Sequence, residues 1–133
     1  MAAAGAPLPQ ADHADRALAF AVAAIGAARA WRAANGIDLE LRVGLASGPA
    51  VGGVIGRQRM LFDLWGATVN TAQRMEASGV PGRIHLAAST RDLLAASVAE
   101  SAETRTVEVK GLGEMTTYLL TPAGSATSDS GAA

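Results

Sequence analysis

The polar residues with the clearest potential for chemistry lie in residues 61–84, whose sequence is LFDLWGATVNTAQRMEASGVPGRI. Asn70 and Arg74 are four residues apart, so on a helix an amide and a guanidinium would project from one face. Asp63 precedes this predicted helix. A carboxylate, an amide and a guanidinium near a helix start could bind an anionic ligand that carries a polar heterocycle. On spacing alone, a solvated helix face is the more frequent explanation of the same pattern.

The composition excludes several other kinds of site. The 133 residues include 11 Lys and Arg, 12 Asp and Glu and no Cys, with a formal net charge of -1. Nucleic-acid binding needs an excess of basic residues to displace counterions, so nucleic acid is not an expected partner. The absence of Cys excludes disulfides, thiol catalysis and Cys-based zinc sites. His13 and His85 are too few for a histidine-rich metal site, and we expect structural roles for both.

The elements that must hold these residues begin with a long helix. Apolar periodicity predicts it at 13–35, with Asp12 as N-cap and Gly36 as the stop signal. Clean alternation predicts a half-buried strand at 37–45. A second strand at 50–55 follows a turn, so the two strands could form a hairpin.

The remaining predicted elements complete a single domain. They are a loop at 56–62, a helix at 68–78, a buried strand at 83–87, a helix from Ser89 or Thr90 to about Val98, and a hairpin of strands at 104–110 and 115–120. This order predicts an α+β fold, with a sheet that has helices on one face. We expect residues 1–11 to be a flexible lead-in, residues 12–121 to form the domain, and residues 122–133 to be a disordered tail.

No targeting signal or membrane span is predicted. The most apolar stretch, residues 17–30, is shorter than the ~20 residues that a span needs, and it contains Gly26 and Arg29. A cytoplasmic chain is therefore expected, which could be the soluble part of a larger membrane-attached or multidomain protein.

Several segments, in order, resemble the C-terminal part of the class III adenylate/guanylate cyclase catalytic domain. LRVGLASGPAVGGVIG is similar to that family's strand, Gly-Pro turn and strand, and FDLWGATVNTAQRMEASGVPGRI to its signature segment. VEVKGLGEMTTYLL is similar to its closing hairpin, and PQADHADRALAFAVAAI to the preceding helix. The resemblance covers about residues 6–121. It implies a partial, ferredoxin-like α+β sandwich with an antiparallel-rich sheet, and active sites formed between two subunits.

The resemblance also implies a role for each polar residue. Asp63 matches the position that reads the purine, where a carboxylate accepts from the adenine amino group and repels the guanine O6, so ATP is favoured over GTP. Asn70 matches the residue that orients the ribose. Arg74 matches the residue that stabilises charge on the α-phosphate while the 3′-hydroxyl attacks and pyrophosphate leaves, a contribution of ~3–4 kcal/mol in oxyanion sites. A salt bridge for Asp63 and a helix cap or loop tie for Asn70 are the alternatives.

Departures from the family pattern limit what the chain is expected to do. The family binds Mg or Mn through two Asp residues that lie N-terminal to the matching region, and neither Asp12 nor Asp15 resembles them, so no metal ligands are expected in this chain. The purine-reading Lys belongs to the same missing part. Lys110 keeps at most part of a substrate-binding role at the triphosphate, because Leu112 replaces the second Lys of the closing turn. Arg57 and Arg59 could compensate, although a solvated loop explains them more simply.

Two functions follow from these expectations. In the first, the chain supplies Asp63, Asn70 and Arg74 to an adenylate cyclase site at a homodimer or heterodimer interface, and is inactive alone because the metal-binding Asp residues are missing. In the second, it is a catalytically dead module that binds a nucleotide or regulates a partner cyclase. A fragment of a longer enzyme is a further explanation of the same pattern.

Overall fold

The computed structural model describes residues 1–123. Within that range four helices and six strands follow one another as α1 (His13–Asn35), β1 (Val43–Leu45), β2 (Val51–Ile55), β3 (Leu61–Trp65), α2 (Ala67–Ala77), β4 (Ile84–Ala87), α3 (Ala88–Arg91), α4 (Ala96–Ser101), β5 (Glu103–Val109) and β6 (Gly113–Leu120). The predicted α+β class is confirmed. The predicted tail at 122–133 lies outside the described residues from position 124 onward.

The long first helix has the predicted bounds and the predicted residues at both ends. Gly36 ends α1 with a positive φ of 63° and donates its N–H to the carbonyl oxygen of Arg32 at 2.9 Å, as expected of a glycine stop. Asp12 is the N-cap residue, as predicted, and its carbonyl oxygen accepts from the Arg16 N–H at 3.0 Å, but its side chain makes no cap hydrogen bond. Its carboxylate accepts instead from Nε of Arg16 at 2.8 Å, and this hydrogen bond lowers the pKa of Asp12.

A mixed four-stranded sheet has the order β1-β4-β6-β5. β1 runs parallel to β4, and the β4–β6 and β6–β5 pairs are antiparallel. The strand predicted at 37–45 is wrong for residues 37–42. Within the described residues β1 pairs only with β4, and this pairing begins at Val43 opposite Ile84. Residues 37–42 therefore have no paired strand, and the side chains of Asp38 and Glu40 form ion pairs with Arg32.

The second strand of the predicted early hairpin has a different partner. β2 pairs antiparallel with β3 and forms a separate two-stranded sheet, so the predicted pairing with the first strand is wrong. The predicted loop at 56–62 is also too long, because β3 begins at Leu61. The turn needs a glycine at Gly56, where φ is 124° and an added Cβ would lie 1.9 Å from the Arg59 carbonyl oxygen. Alternation identifies a strand but does not identify its partner.

Helices cover both faces of the four-stranded sheet, so the expectation of helices on one face is wrong. On one face, Ala21 and Ile25 of α1 share a core cluster with Ile84 and Leu86 of β4. On the other, Met75 of α2 packs with partly or fully buried residues, which are Ala87, Val109, Ala46, Val107 and Met115. Because side chains alternate along β4, one strand supports both helices.

The position of α2 depends on a close approach between backbones. A Cβ added to Gly44 on β1 would lie 2.1 Å from the Glu76 nitrogen, 2.5 Å from the Ala72 carbonyl oxygen and 2.6 Å from the Met75 carbonyl carbon. Only glycine leaves room for the helix backbone at this distance. The helix that carries Asn70 and Arg74 is thereby held directly against the sheet.

The helix predicted from Ser89 or Thr90 to Val98 is interrupted. The chain forms two short helices, α3 and α4, and neither has a side-chain cap. Thr90 lies inside α3, where it is buried, and its Oγ1 is 2.9 Å from Oγ of Ser47. The hydroxyl thus satisfies a tertiary hydrogen bond and is not available as a cap. The predicted C-terminal hairpin is confirmed as β5 and β6, which pair from Glu103–Leu119 to Val109–Gly113.

By length and composition alone, α1 is apolar enough to cross a membrane. The core helix of a soluble protein passes the same test. Ala14, Ala21 and Ile25 are buried against the rest of the fold, as in a core helix, although most of the helix surface is exposed. The absence of a membrane span in this chain stays a prediction.

Candidate functional site

Asp63 lies in the middle of β3, where its carboxylate faces open space. It is exposed, and its cross-strand partner is Gly53, which has no side chain to cover it. Its Oδ1 accepts a hydrogen bond from the backbone N–H of Leu64 at 2.8 Å. This bond orients the carboxylate and leaves Oδ2 free to accept from a ligand, since Asp63 has no ion-pair partner among residues 1–123. The salt bridge considered for Asp63 is not formed there.

Asn70 and Arg74 project from the exposed face of α2, as their spacing predicts. Gly66 connects β3 to this helix with a φ of 123°, which a residue with a Cβ rarely adopts, and its carbonyl oxygen accepts from the Asn70 N–H at 3.1 Å. The opposite face is anchored by Met75, which is completely buried. The amide of Asn70 and the guanidinium of Arg74 have no side-chain hydrogen-bond partner in the described part of the chain.

Arg74 differs in this respect from most other arginines of the chain. Six of them contact a carboxylate or a carbonyl oxygen, in the pairs Arg16–Asp12, Arg29–Gly82, Arg32–Asp38 and Arg32–Glu40, Arg42–Glu76, Arg83–Glu103 and Arg91–Asp92. Arg57 and Arg59 are exposed in the turn between β2 and β3. An unpaired guanidinium on a rigid helix is free to donate to an anionic ligand.

Lys110 begins the turn between β5 and β6, and it is exposed. The preceding residue, Val109, is buried in the same core cluster as Met75 of α2. The turn with Lys110 and the helix with Arg74 are therefore anchored at one cluster on the same face of the sheet. The loop position of Lys110 allows its four-carbon side chain to reach a ligand from a different element.

Sequence reasoning missed an apolar surface on the β2–β3 hairpin. Its exposed large apolar residues are Val51, Val54, Ile55, Met60, Leu61, Phe62 and Trp65. Val54 is 64% exposed, and Trp65 is 42% exposed. The signal was available in the segments VGGVI and LFDLW. A strand with one solvated face alternates apolar and polar residues, and these two segments do not. Seven large apolar side chains on one hairpin are thus exposed to solvent in the described part of the chain.

Mg or Mn is the metal expected for the family. Within residues 1–123, no three His, Asp or Glu side chains lie close enough to hold a metal ion. The carboxylates of Asp12, Asp38, Glu40, Glu76 and Glu103 all face arginines. These residues therefore do not fit a site for two divalent cations.

Comparisons with known proteins identify the family. Residues 1–122 match the sequence profile of the adenylate and guanylate cyclase catalytic domain, so the chain belongs to that family. It is 38% identical over 130 residues, or 97% of its length, to guanylate cyclase soluble subunit beta-2 of Rattus norvegicus. It is 36% identical over 120 residues, or 90% of its length, to an adenylate cyclase of Mycobacterium bovis. The match begins at residue 1 and thus includes the predicted lead-in.

The fold is also that of a cyclase catalytic core. The catalytic core of a rhodopsin-guanylyl cyclase with converted specificity, in complex with ATPαS, superposes with a TM-score of 0.79 at 40% identity. The match covers 90% of this chain and 64% of that one. The chain spans 19% of the rat subunit and 27% of the mycobacterial enzyme. The family and fold predicted from the sequence are confirmed, and both guanylate and adenylate cyclases are among the relatives.

Proposed function

We propose that the chain supplies one half of a nucleotidyl cyclase site, which converts ATP into cyclic AMP and pyrophosphate at an interface with a second cyclase domain. The observation that carries the proposal is that Asn70 and Arg74, whose side chains have no partner among residues 1–123, lie on the exposed face of α2. This helix directly follows β3, the strand that presents Asp63. The family membership gives these three residues a common purpose. They are the donors and acceptor that a nucleoside triphosphate requires.

Arg74 and Asn70 act on the reacting end of the nucleotide. Negative charge grows on the α-phosphate oxygens as the 3′-hydroxyl attacks and pyrophosphate leaves. A guanidinium held by a helix that is packed tightly on a sheet stabilises this charge without reorganising. The Asn70 amide, one turn earlier on the same face, is placed to hold the ribose. Lys110, on the neighbouring turn, donates to the triphosphate.

Asp63 supports ATP rather than GTP as the substrate. Its free Oδ2 accepts a hydrogen bond from the adenine amino group, while the guanine carbonyl oxygen at the same position would be repelled by the carboxylate. Both guanylate and adenylate cyclases are among the relatives, so membership of the family does not predict which nucleotide is preferred. A measured preference for ATP over GTP therefore tests the role of Asp63. Equal affinity for the two nucleotides would contradict the assigned role.

The second domain is proposed to dock on the β2–β3 hairpin. This hairpin exposes seven large apolar side chains, and it carries Asp63. Burying Val54 and Trp65 against a partner would remove their apolar surface from water. Each Å² of apolar surface removed stabilises the complex by about 25 cal/mol. The partner would also bring the acidic residues that residues 1–123 do not cluster. A homodimer of this chain would lack those groups and would be inactive.

A complementation assay tests the proposal. The chain is mixed with a metal-competent cyclase domain whose own Asn and Arg at the matching positions are replaced by Ala, and cyclic AMP formation from ATP is measured with Mn²⁺. We expect activity from the mixture and none from either component. Arg74→Ala should lower the rescued activity about 10²–10³-fold, whereas Arg16→Ala, which removes an exposed arginine of α1, should leave it intact. No rescue at saturating concentration would refute the proposal.

The alternative is a catalytically dead module that binds a nucleotide, and the lack of an acidic cluster within residues 1–123 favours it. This alternative predicts measurable ATP affinity that Asp63→Ala abolishes, with no turnover in any mixture. Isothermal titration with ATP, together with the complementation assay, separates the two functions. A cytoplasmic location is proposed for either function, because ATP is the expected ligand.

A further inference from the structure

His85 is a buried polar residue that the proposed site does not use. It lies on β4 with no exposed surface, and its ring faces α2, on the side of the sheet opposite to α1. Nδ1 is 2.9 Å from the carbonyl oxygen of Met75 and 3.3 Å from Oγ of Ser78. Nε2 is 2.7 Å from Oγ1 of Thr117 on β6. The ring therefore joins the end of α2 to two strands of the sheet.

These contacts determine the tautomer of the ring. A carbonyl oxygen can only accept, so Nδ1 carries the proton and donates it to Met75. Nε2 is then the acceptor, and the Thr117 hydroxyl donates to it at 2.7 Å rather than to the Arg105 carbonyl oxygen at 3.4 Å. A neutral imidazole protonated at Nδ1 satisfies the bonds to Met75 and Thr117.

The same network reaches the backbone of Arg74. Oγ of Ser78 donates to the carbonyl oxygen of Arg74 at 2.8 Å, and the Ser78 N–H donates to that same oxygen at 3.0 Å. His85 thus contacts the residue after Arg74 directly and the Arg74 carbonyl through one hydroxyl. Met75 and His85 are both fully buried, so this is a fixed point of the helix and not a surface contact.

We propose that His85 is a positioning residue, which fixes the last turn of α2 against the sheet and thereby aims the Arg74 guanidinium at the α-phosphate. The inference rests on the proposed function of Arg74. Gly44 determines how closely the helix approaches the sheet. The hydrogen bonds of His85 have defined directions, so they determine how the final turn of α2 is rotated about the helix axis and where it lies along that axis. Small displacements at this point are passed to the guanidinium, because α2 is a single rigid helix.

The charged groups around His85 are few. Burial disfavours a positive charge on the ring, and Arg105 on β5 acts in the same direction, so the pKa of His85 lies below its ordinary value of 6.5. On α2, Arg74 and Glu76 flank Met75, and Glu76 is paired with Arg42. The residues of β1 and β6 that pair with His85 in register are Gly44 and Leu119, which carry no charge.

Two conservative variants separate a positioning role from a merely structural one. In His85→Asn the amide nitrogen takes the place of Nδ1 and keeps the bond to Met75, whereas in His85→Gln the longer side chain reaches Thr117 and loses the bond to α2. Thr90→Val is the matched control, since the buried Thr90 hydroxyl makes a partly buried hydrogen bond with Ser47, in which no residue of α2 takes part.

Steady-state kinetics in the complementation assay, corrected for the folded fraction, provide the first readout. We expect His85→Gln to lower kcat on the order of tenfold with little change in KM, because misplacing a group that acts in the transition state affects the chemical step. His85→Asn should keep most of kcat, and Thr90→Val should keep it fully. Equal losses for Asn and Gln, or a loss that Thr90→Val reproduces, would overturn the inference.

Hydrogen exchange of the free chain distinguishes a failure of this inference from a failure of the proposed function. If the wild-type chain gives no rescue, the proposed function is refuted, and exchange then decides about His85. The amides of Ser78 and Gly79 donate to the carbonyl oxygens of Arg74 and Glu76 at the end of α2. They should exchange roughly tenfold faster in His85→Gln than in Thr90→Val. Exchange rates that are the same in both variants would show that His85 does not position the helix.

Discussion

Replacing Gly44 by Ala should displace the helix that carries Asn70 and Arg74. The added Cβ would lie 2.1 Å from the Glu76 nitrogen, whereas an ordinary van der Waals contact begins at 3.4 Å, so α2 must move away by about 1.3 Å. The three nearest atoms all belong to the helix backbone, so no side chain can rotate to relieve the contact. Overpacking of this kind costs about 1–3 kcal/mol, and we expect the upper part of that range.

Urea denaturation followed by far-UV circular dichroism measures the loss, with Gly26→Ala as the matched control. Gly26 lies inside α1 with no heavy atom within 4 Å of its added Cβ, so the same substitution there should stabilise the chain by ~0.5–1 kcal/mol through helix propensity. The midpoint should fall for Gly44→Ala and rise for Gly26→Ala, with the slope m unchanged in both.

The same substitution should affect the site as well as stability. A displacement of about 1 Å at a catalytic group lowers rate on the order of 100-fold, so the rescued activity should fall further than the folded fraction does. A Gly44→Ala chain within ~0.5 kcal/mol of the wild type, with full rescue, would refute the argument that this glycine seats α2.

Other predictions concern the site, the interface and the buried histidine. Arg74→Ala should lower kcat about 10²–10³-fold in the complementation assay while changing KM little, and an effect on KM alone would mean that Arg74 acts only in ground-state binding. Asp63→Ala should reduce the preference for ATP over GTP in competition titrations, and an unchanged preference would assign purine reading to another residue. Val54→Glu, on the apolar hairpin, should weaken association with the partner domain at least tenfold by analytical ultracentrifugation, and unchanged association would place the interface elsewhere. Because the pKa of His85 is lowered in the folded state, the unfolded state binds a proton more readily, so stability is full above about pH 6.5 and is lost as the pH falls through the lowered pKa. Urea midpoints at pH 7.5 and 5.5 should show this loss, and a loss of the same size in His85→Gln would exclude the histidine as its source.

The site illustrates how a local pattern can be complete in the sequence. Asn70 and Arg74 needed only the helical repeat to be placed on one face, and the buried Met75 confirms which side of the helix faces the core. Gly36 was readable in the same way, since it ends the first helix with a positive φ. These properties depend on neighbours within a few positions, so sequence reasoning reaches them.

Pairing and burial depended on residues far apart in the chain. The alternation at 37–45 is real, but a strand forms only where β4 offers backbone partners, at Val43–Leu45. Thr90 suited a helix cap, yet Ser47 takes its hydroxyl. The chain leaves the hairpin of β2 and β3 outside the main sheet, and this is why its apolar residues are exposed.

The sequence by itself determined the family, the fold class and the face of α2 that carries the polar pair, because a distinctive run of residues and a helical period are local properties. Only the tertiary structure decided how that helix is seated, since Gly44 and His85 act through contacts across 32 and 10 residues, with Glu76 and Met75 respectively. Their effect is steric exclusion in one case and directed hydrogen bonds in the other. Neither can be inferred until the chain has brought those backbones together.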